Sequence, residues 1–239
     1  MVFIIKQDMV VNGRIDHIDI GTETGVKCID IIDLVELPNW QHVLSVNCTG
    51  CTNLTTLPNW QNVTTVYCSG CTALTTLPNW QNVMGVSCHG CTNLTTLPDW
   101  QNVTMVYCSE CTALTTLPNW QNVLRVHCIG YTGLTTLPHW QHVTTVDCSG
   151  CTALTTLPNW QHVLRVNCTG CAALTTLPNW QNVQKVDCSG CTDLTTLPCW
   201  SKNVTVYADN CPLLNKQGIL LLVQTDFLRA DMIPDFLSV

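Results

Sequence analysis

Seven copies of C-x-x-C recur along this chain, from Cys48-Thr-Gly-Cys51 and Cys68-Ser-Gly-Cys71 to Cys188-Ser-Gly-Cys191. Two cysteines at that spacing can bind zinc or an iron–sulfur cluster, or cycle between dithiol and disulfide. Zinc would take four thiolates from two stacked pairs, held by a polar surround that orients them. The pattern is broken where such a row could least afford it. Tyr131 and Ile31 each stand where a second cysteine belongs, and Ala208 replaces a first cysteine. A buried thiol is otherwise a small hydrophobe with a weak S–H donor. The spacing therefore favours sulfur as core filler. A thiol-rich metal-binding or redox protein using the repeated pairs is the alternative. Cys199, between Pro198 and Trp200, lies outside the pattern and is expected to be the most exposed thiol.

Other chemistry-bearing residues are scattered. His89, His127, His139, His142 and His162 sit in polar slots of different copies. No nucleophile–base–acid set, phosphate loop or H-E-x-x-H is present. No catalytic residue, metal ligand or cofactor is assigned, and the chain reads as a non-enzyme. The net charge is −7, and no Lys or Arg lies between Lys27 and Arg125. A phosphate-binding stripe is therefore excluded, and nucleic acid is not an expected partner. The first apolar run is too brief for a secretion signal, and none approaches the ~18 residues of a membrane span. With 18 cysteines and no expected export, a reducing, cytoplasmic setting follows.

The cysteines belong to a 20-residue period, numbered from Val43, Val63 and so on to Val183. Position 4 is Val, position 6 Cys, position 9 usually Cys, positions 12 and 15 Leu, position 16 Pro and position 18 Trp. The frame runs back to Val26 and forward to Leu214, so about ten units fill residues 23–214. Apolar residues at positions 4 and 6 flank a variable one, which is the alternation of a short strand. Glycine at position 8 permits a turn, and proline at position 16 prevents a helix. What is left of each period is too short for an ordinary helix. One unit cannot bury its apolar side alone, whereas stacked units can.

The pattern V-x-x-V-x-C-x-x-C-x-x-L-x-x-L-P resembles the leucine-rich repeat. It is similar to the short repeats of some bacterial effectors and to cysteine-rich repeat proteins of giant DNA viruses. The resemblance implies a solenoid of leucine-rich repeats with short parallel β-strands on a concave face and a mostly non-helical convex side. It further implies that positions 1, 4, 6, 9, 12 and 15 face inward, with position 9 bonding turn backbone along the array. Residues 1–22, with Asn12-Gly13, suggest a β-hairpin N-cap, and 215–239 a helical C-cap. The nine tryptophans are expected in the core, stacked unit on unit.

Function is then expected where the copies differ. On the inner strand face, Tyr67, Met84, Met105 and Tyr107 form an apolar patch with a gap at Gly85. Arg125, His127, Asp147, Arg165, Lys185 and Asp187 form a mixed-charge patch. Tyr, Met and Arg are enriched in protein–protein contacts, so these ten residues are the expected partner-binding set. The partner expected is a protein, bound by a monomer or homodimer, in host-cell cytoplasm or a virion.

Overall fold

The computed structural model describes residues 2–15, 19–201 and 203–214. The C-terminal helix expected over 215–239 lies outside them. The described residues fall into two compact units, one ending at Val123 and the other beginning at Leu124.

In the first unit, β1 (Val2–Ile4) is followed by a 3-10 turn at Gln7–Met9. Five repeat strands come next: β2 (Gly25–Lys27), β3 (Ser45–Asn47), β4 (Thr65–Tyr67), β5 (Gly85–Ser87) and β6 (Met105–Tyr107). All pair in parallel with their chain neighbours, in strict register from Val26↔Val46 to Val86↔Val106. The second unit repeats the plan with β7 (Arg125–His127), β8 (Thr145–Asp147), β9 (Arg165–Asn167), β10 (Lys185–Asp187) and β11 (Thr205–Tyr207). The rest of each repeat is turn and extended chain, without α-helix among the described residues. At the N-terminal end, the Asn12-Gly13 turn closes a single antiparallel bridge, Val11↔Arg14. β1 instead extends the parallel ladder by pairing with β2.

Each repeat strand, β2 to β11, is three residues long with its central valine inward. Val46, Val66, Val106, Val126 and Val186 have no exposed surface. Cysteines at positions 6 and 9 and leucines at position 12 are equally closed off, from Cys48, Cys51 and Leu54 to Cys188, Cys191 and Leu194. The inward positions implied by the repeat pattern are therefore the ones that form the core. Position 8 carries the turn: Gly50, Gly70, Gly90, Gly150, Gly170 and Gly190 all have φ between 69° and 76°. That left-handed region costs nothing to glycine and about 1–2 kcal/mol to other residues. Glu110 adopts it at 59°.

All nine tryptophans are buried. Indoles of successive repeats stack at 6.1–6.3 Å from Trp60 to Trp120 and at 5.9–6.1 Å from Trp140 to Trp200. The rings of Trp60, Trp80, Trp100, Trp120, Trp160, Trp180 and Trp200 also donate their Nε1–H to the proline carbonyl of the preceding repeat, as in Trp80 to Pro58 and Trp180 to Pro158, both at 3.0 Å. This bond satisfies the polar atom of an otherwise apolar filler. A second ladder runs beside it, with Asn62, Asn82 and Asn102 donating to the Gln41, Gln61 and Gln81 carbonyls.

Candidate functional site

The sulfur atoms of one C-x-x-C do not work as a pair. The position-9 thiol of each unit donates to the position-6 carbonyl of the unit before. Cys71 reaches the Cys48 carbonyl at 3.0 Å, Cys111 that of Cys88 at 2.9 Å and Cys171 that of Cys148 at 3.1 Å. Partners are thus 23 residues apart in sequence, and the glycine turn between the cysteines of one unit keeps their roles separate. The neighbouring position-9 thiol of the next unit, reinforced by burial, pushes the Cys48, Cys68, Cys88, Cys148 and Cys168 thiols well above the usual thiol range. The neighbouring position-6 thiol of the preceding unit draws Cys51 and Cys151 down, against the opposing effect of burial. A thiol held in its protonated form is a poor nucleophile and a poor metal ligand. Among the described residues no group of three or more His, Cys, Asp and Glu side chains is arranged to hold a metal ion. Tyr131 fills its cysteine slot with no exposed surface, as a packing residue would. Sixteen of the 18 cysteines are buried, Cys211 is half-buried and Cys199 is exposed.

The histidines gather only in part. His142 and His162 stack with ring centroids 6.1 Å apart. With His139, Gln141 and Gln161 they line an open surface hollow of about 250 Å³. No carboxylate or nucleophile lines it, so no acid–base pair is assembled there.

Residues that vary between repeats sit on the outward side of the strands. In the first unit, the register sets Tyr67, Ser87 and Tyr107 in one row and Thr65, Gly85 and Met105 in another. Tyr67 is 45% exposed, Met84 51% and Met105 37%. The expected gap at Gly85 is partly roofed: a side chain there would meet the Met105 terminal methyl at 4.0 Å and the Thr65 methyl at 3.8 Å. Met84 lies one residue before β5, where its carbonyl accepts the Thr104 hydroxyl at 3.1 Å. Tyr67, Tyr107 and Met105 thus share the strand face, and Met84 flanks it.

In the second unit, one row runs Arg125, Thr145, Arg165, Lys185 and the other His127, Asp147, Asn167, Asp187. His127 and Asp147 are neighbours across β7 and β8, as their spacing suggested. No ion pair among the described residues joins Arg125, Arg165 or Lys185 to Asp147 or Asp187. The acids are used by the fold instead. One Asp147 oxygen accepts the Ser149 amide at 3.1 Å and its hydroxyl at 2.8 Å, and the other accepts the Asn167 amide at 3.1 Å. Asp187 accepts the Ser189 amide in the same way, at 3.1 Å. Lys185 places its ammonium 5.0 Å from the Tyr207 ring centre, a cation–π contact. The spacing did not disclose these turn bonds, although Asp or Asn two residues before Ser or Thr is their signature.

No family model matches the sequence, and no curated protein matches it. Among solved structures, the leucine-rich repeat domain of the type III effector XCV3220 (XopL) is similar over 79% of this chain and 76% of its own, at 20% identity and a TM-score of 0.59. A leucine rich cell surface protein from Faecalibacterium prausnitzii A2-165 aligns over 80% of this chain and 77% of its own, at 17% identity and a TM-score of 0.39. The first likeness shows the fold, a leucine-rich-repeat solenoid.

Proposed function

We propose that this chain is a non-catalytic interaction scaffold that binds a protein partner on the outward face of its strands. One observation carries the reading: core positions are nearly identical in every repeat, whereas exposed strand positions differ from copy to copy. Packing leaves the outward positions free to vary, and there the first unit presents Tyr67, Tyr107 and Met105 with Met84 beside them. Large amphipathic side chains on a rigid ladder bring contact area at low entropic cost. The second unit offers Arg125, Arg165 and Lys185, all exposed and outside any ion pair with the neighbouring acids. Rim charges of this kind steer encounter and tune specificity more than they add affinity. A reducing setting such as the cytoplasm, or a virion or virus-infected cell by resemblance, accords with a core of free thiols.

The test uses two double variants, Tyr67→Ala/Tyr107→Ala in the first unit and Arg165→Ala/Lys185→Ala in the second, each as bait in a pull-down from native host cells. Partners recovered by the wild type should be lost from the first variant and recovered less, with a weaker salt dependence, by the second. Unchanged recovery by both, with the fold intact by circular dichroism, would discard the proposal.

A further inference from the structure

Two polar hollows of the second unit share one frame, built from positions 17, 19 and 20 of neighbouring repeats. The later one, of about 390 Å³, is lined by Asn159, Gln161, His162, Gln181 and Asn182. The earlier one, of about 250 Å³, is lined by His139, Gln141, His142, Gln161 and His162. Where the later hollow has the amides of Asn159 and Asn182, the earlier has the imidazoles of His139 and His162. Three histidines therefore meet around a single hollow.

Position 20 ordinarily ties coil to coil. Asn122 and Asn182 donate to the Gln101 and Gln161 carbonyls at 2.8 and 2.7 Å. His142 and His162 occupy the same position and make no hydrogen bond among the described residues. Their rings stack on each other instead, with centroids 6.1 Å apart and planes 16° from parallel. Both side chains are exposed. The fold thus leaves the ring nitrogens uncommitted, and exposed rings turn between rotamers rapidly.

Two imidazoles held side by side on a rigid backbone can chelate a borderline divalent ion. Metal–nitrogen bonds of about 2.0–2.1 Å place two donor nitrogens within about 4 Å of each other. From a stack at 6.1 Å the donors need to close by about 2 Å, which rotation of exposed side chains supplies. The Asn side chains of other repeats offer only amide oxygens, which suit harder ions.

We propose that His142 and His162 form a surface site for a divalent transition-metal ion of the nickel, copper or zinc class, seated in the hollow they share with His139. One nitrogen of each ring ligates the ion. Two side chains fall short of a closed site, so water fills the remaining positions. This site is independent of the strand-face partner-binding reading and does not use the buried thiols.

The test titrates the full chain, free of any affinity tag and under inert gas, with Ni²⁺, which imidazole binds well. Calorimetry should show one ion bound per chain, and paramagnetic broadening should reach the His142 and His162 ring protons first. His142→Asn and His162→Asn install the residue that most repeats carry at position 20, so they break the pair while keeping the fold. Each should weaken Ni²⁺ binding about tenfold or more, because two-point attachment is lost. His42→Asn, which removes a position-20 histidine whose neighbour is Asn62, should leave binding unchanged. No Ni²⁺ uptake by the wild type, equal affinity in the wild type and both variants, or broadening centred on His89 or His127 would each overturn the assignment.

Discussion

At the scale of single residues, the repeat tolerates exceptions only where the local geometry can absorb them. Position 8 needs a positive φ, which glycine adopts freely and Glu110 adopts at 59° under steric strain. Glu110 gains little in return, since its contact with His89 at 3.7 Å is solvent-exposed. Glu110→Gly should therefore raise stability by about 1 kcal/mol, read as a higher denaturant midpoint, because relief of strain outweighs the added freedom of the unfolded chain. A neutral or lower midpoint would show that the His89 contact matters more than its exposure implies. Asp147 illustrates the opposite situation. It varies between copies as a binding residue would, yet its carboxylate oxygens are committed to Ser149 and Asn167.

At the scale of the element, each 20-residue coil is a three-residue strand and a proline-stiffened return that only its neighbours make stable. The tryptophan column shows how the neighbours act. Trp100 stacks on Trp80 at 6.1 Å and Trp120 at 6.2 Å and donates to the Pro78 carbonyl at 3.0 Å. Trp100→Phe removes the donor, leaves a carbonyl short of a partner and opens a small void. The expected cost is about 2–3 kcal/mol in chemical denaturation. Trp200 stacks on Trp180 at 6.0 Å and is 4% exposed, so Trp200→Phe should cost less. Equal losses would argue that the ring's volume, and not its place in the column, sets the cost.

At the scale of the whole molecule, a core rich in thiols ties stability to alkaline pH. Cys48, Cys68 and Cys88 in the first unit have folded-state values raised above the ordinary thiol value of 9.0. In the folded state each keeps its proton above that pH, whereas the unfolded chain releases it. The unfolded state then binds fewer protons, so the stability present below the ordinary value is lost as pH rises beyond it. Each thiol contributes about 1.4 kcal/mol per pH unit, so these three alone remove about 4 kcal/mol per unit. Thiols with lowered values, such as Cys51 and Cys211, add stability that is complete above the ordinary value and lost as pH falls through the lowered one, so they do not offset this slope. Denaturant midpoints should fall steeply between about pH 9 and pH 10, before lysines and tyrosines titrate. A flat profile there would mean that the sulfurs are not enclosed.

The period by itself determined the coil, the inward columns and the burial of the tryptophans. Each core site recurs once per unit, and repetition makes a packing requirement visible as a pattern, as in Val46, Cys48, Leu54 and Trp60. What the period could not show is which atom of one coil meets which atom of the next. The thiol partners 23 residues apart, the indole bonds to prolines 22 residues before and the half-open rung at Cys211 all depend on that contact. Their partners are set by the offset with which one coil stacks on another, a distance in space with no counterpart inside a single repeat.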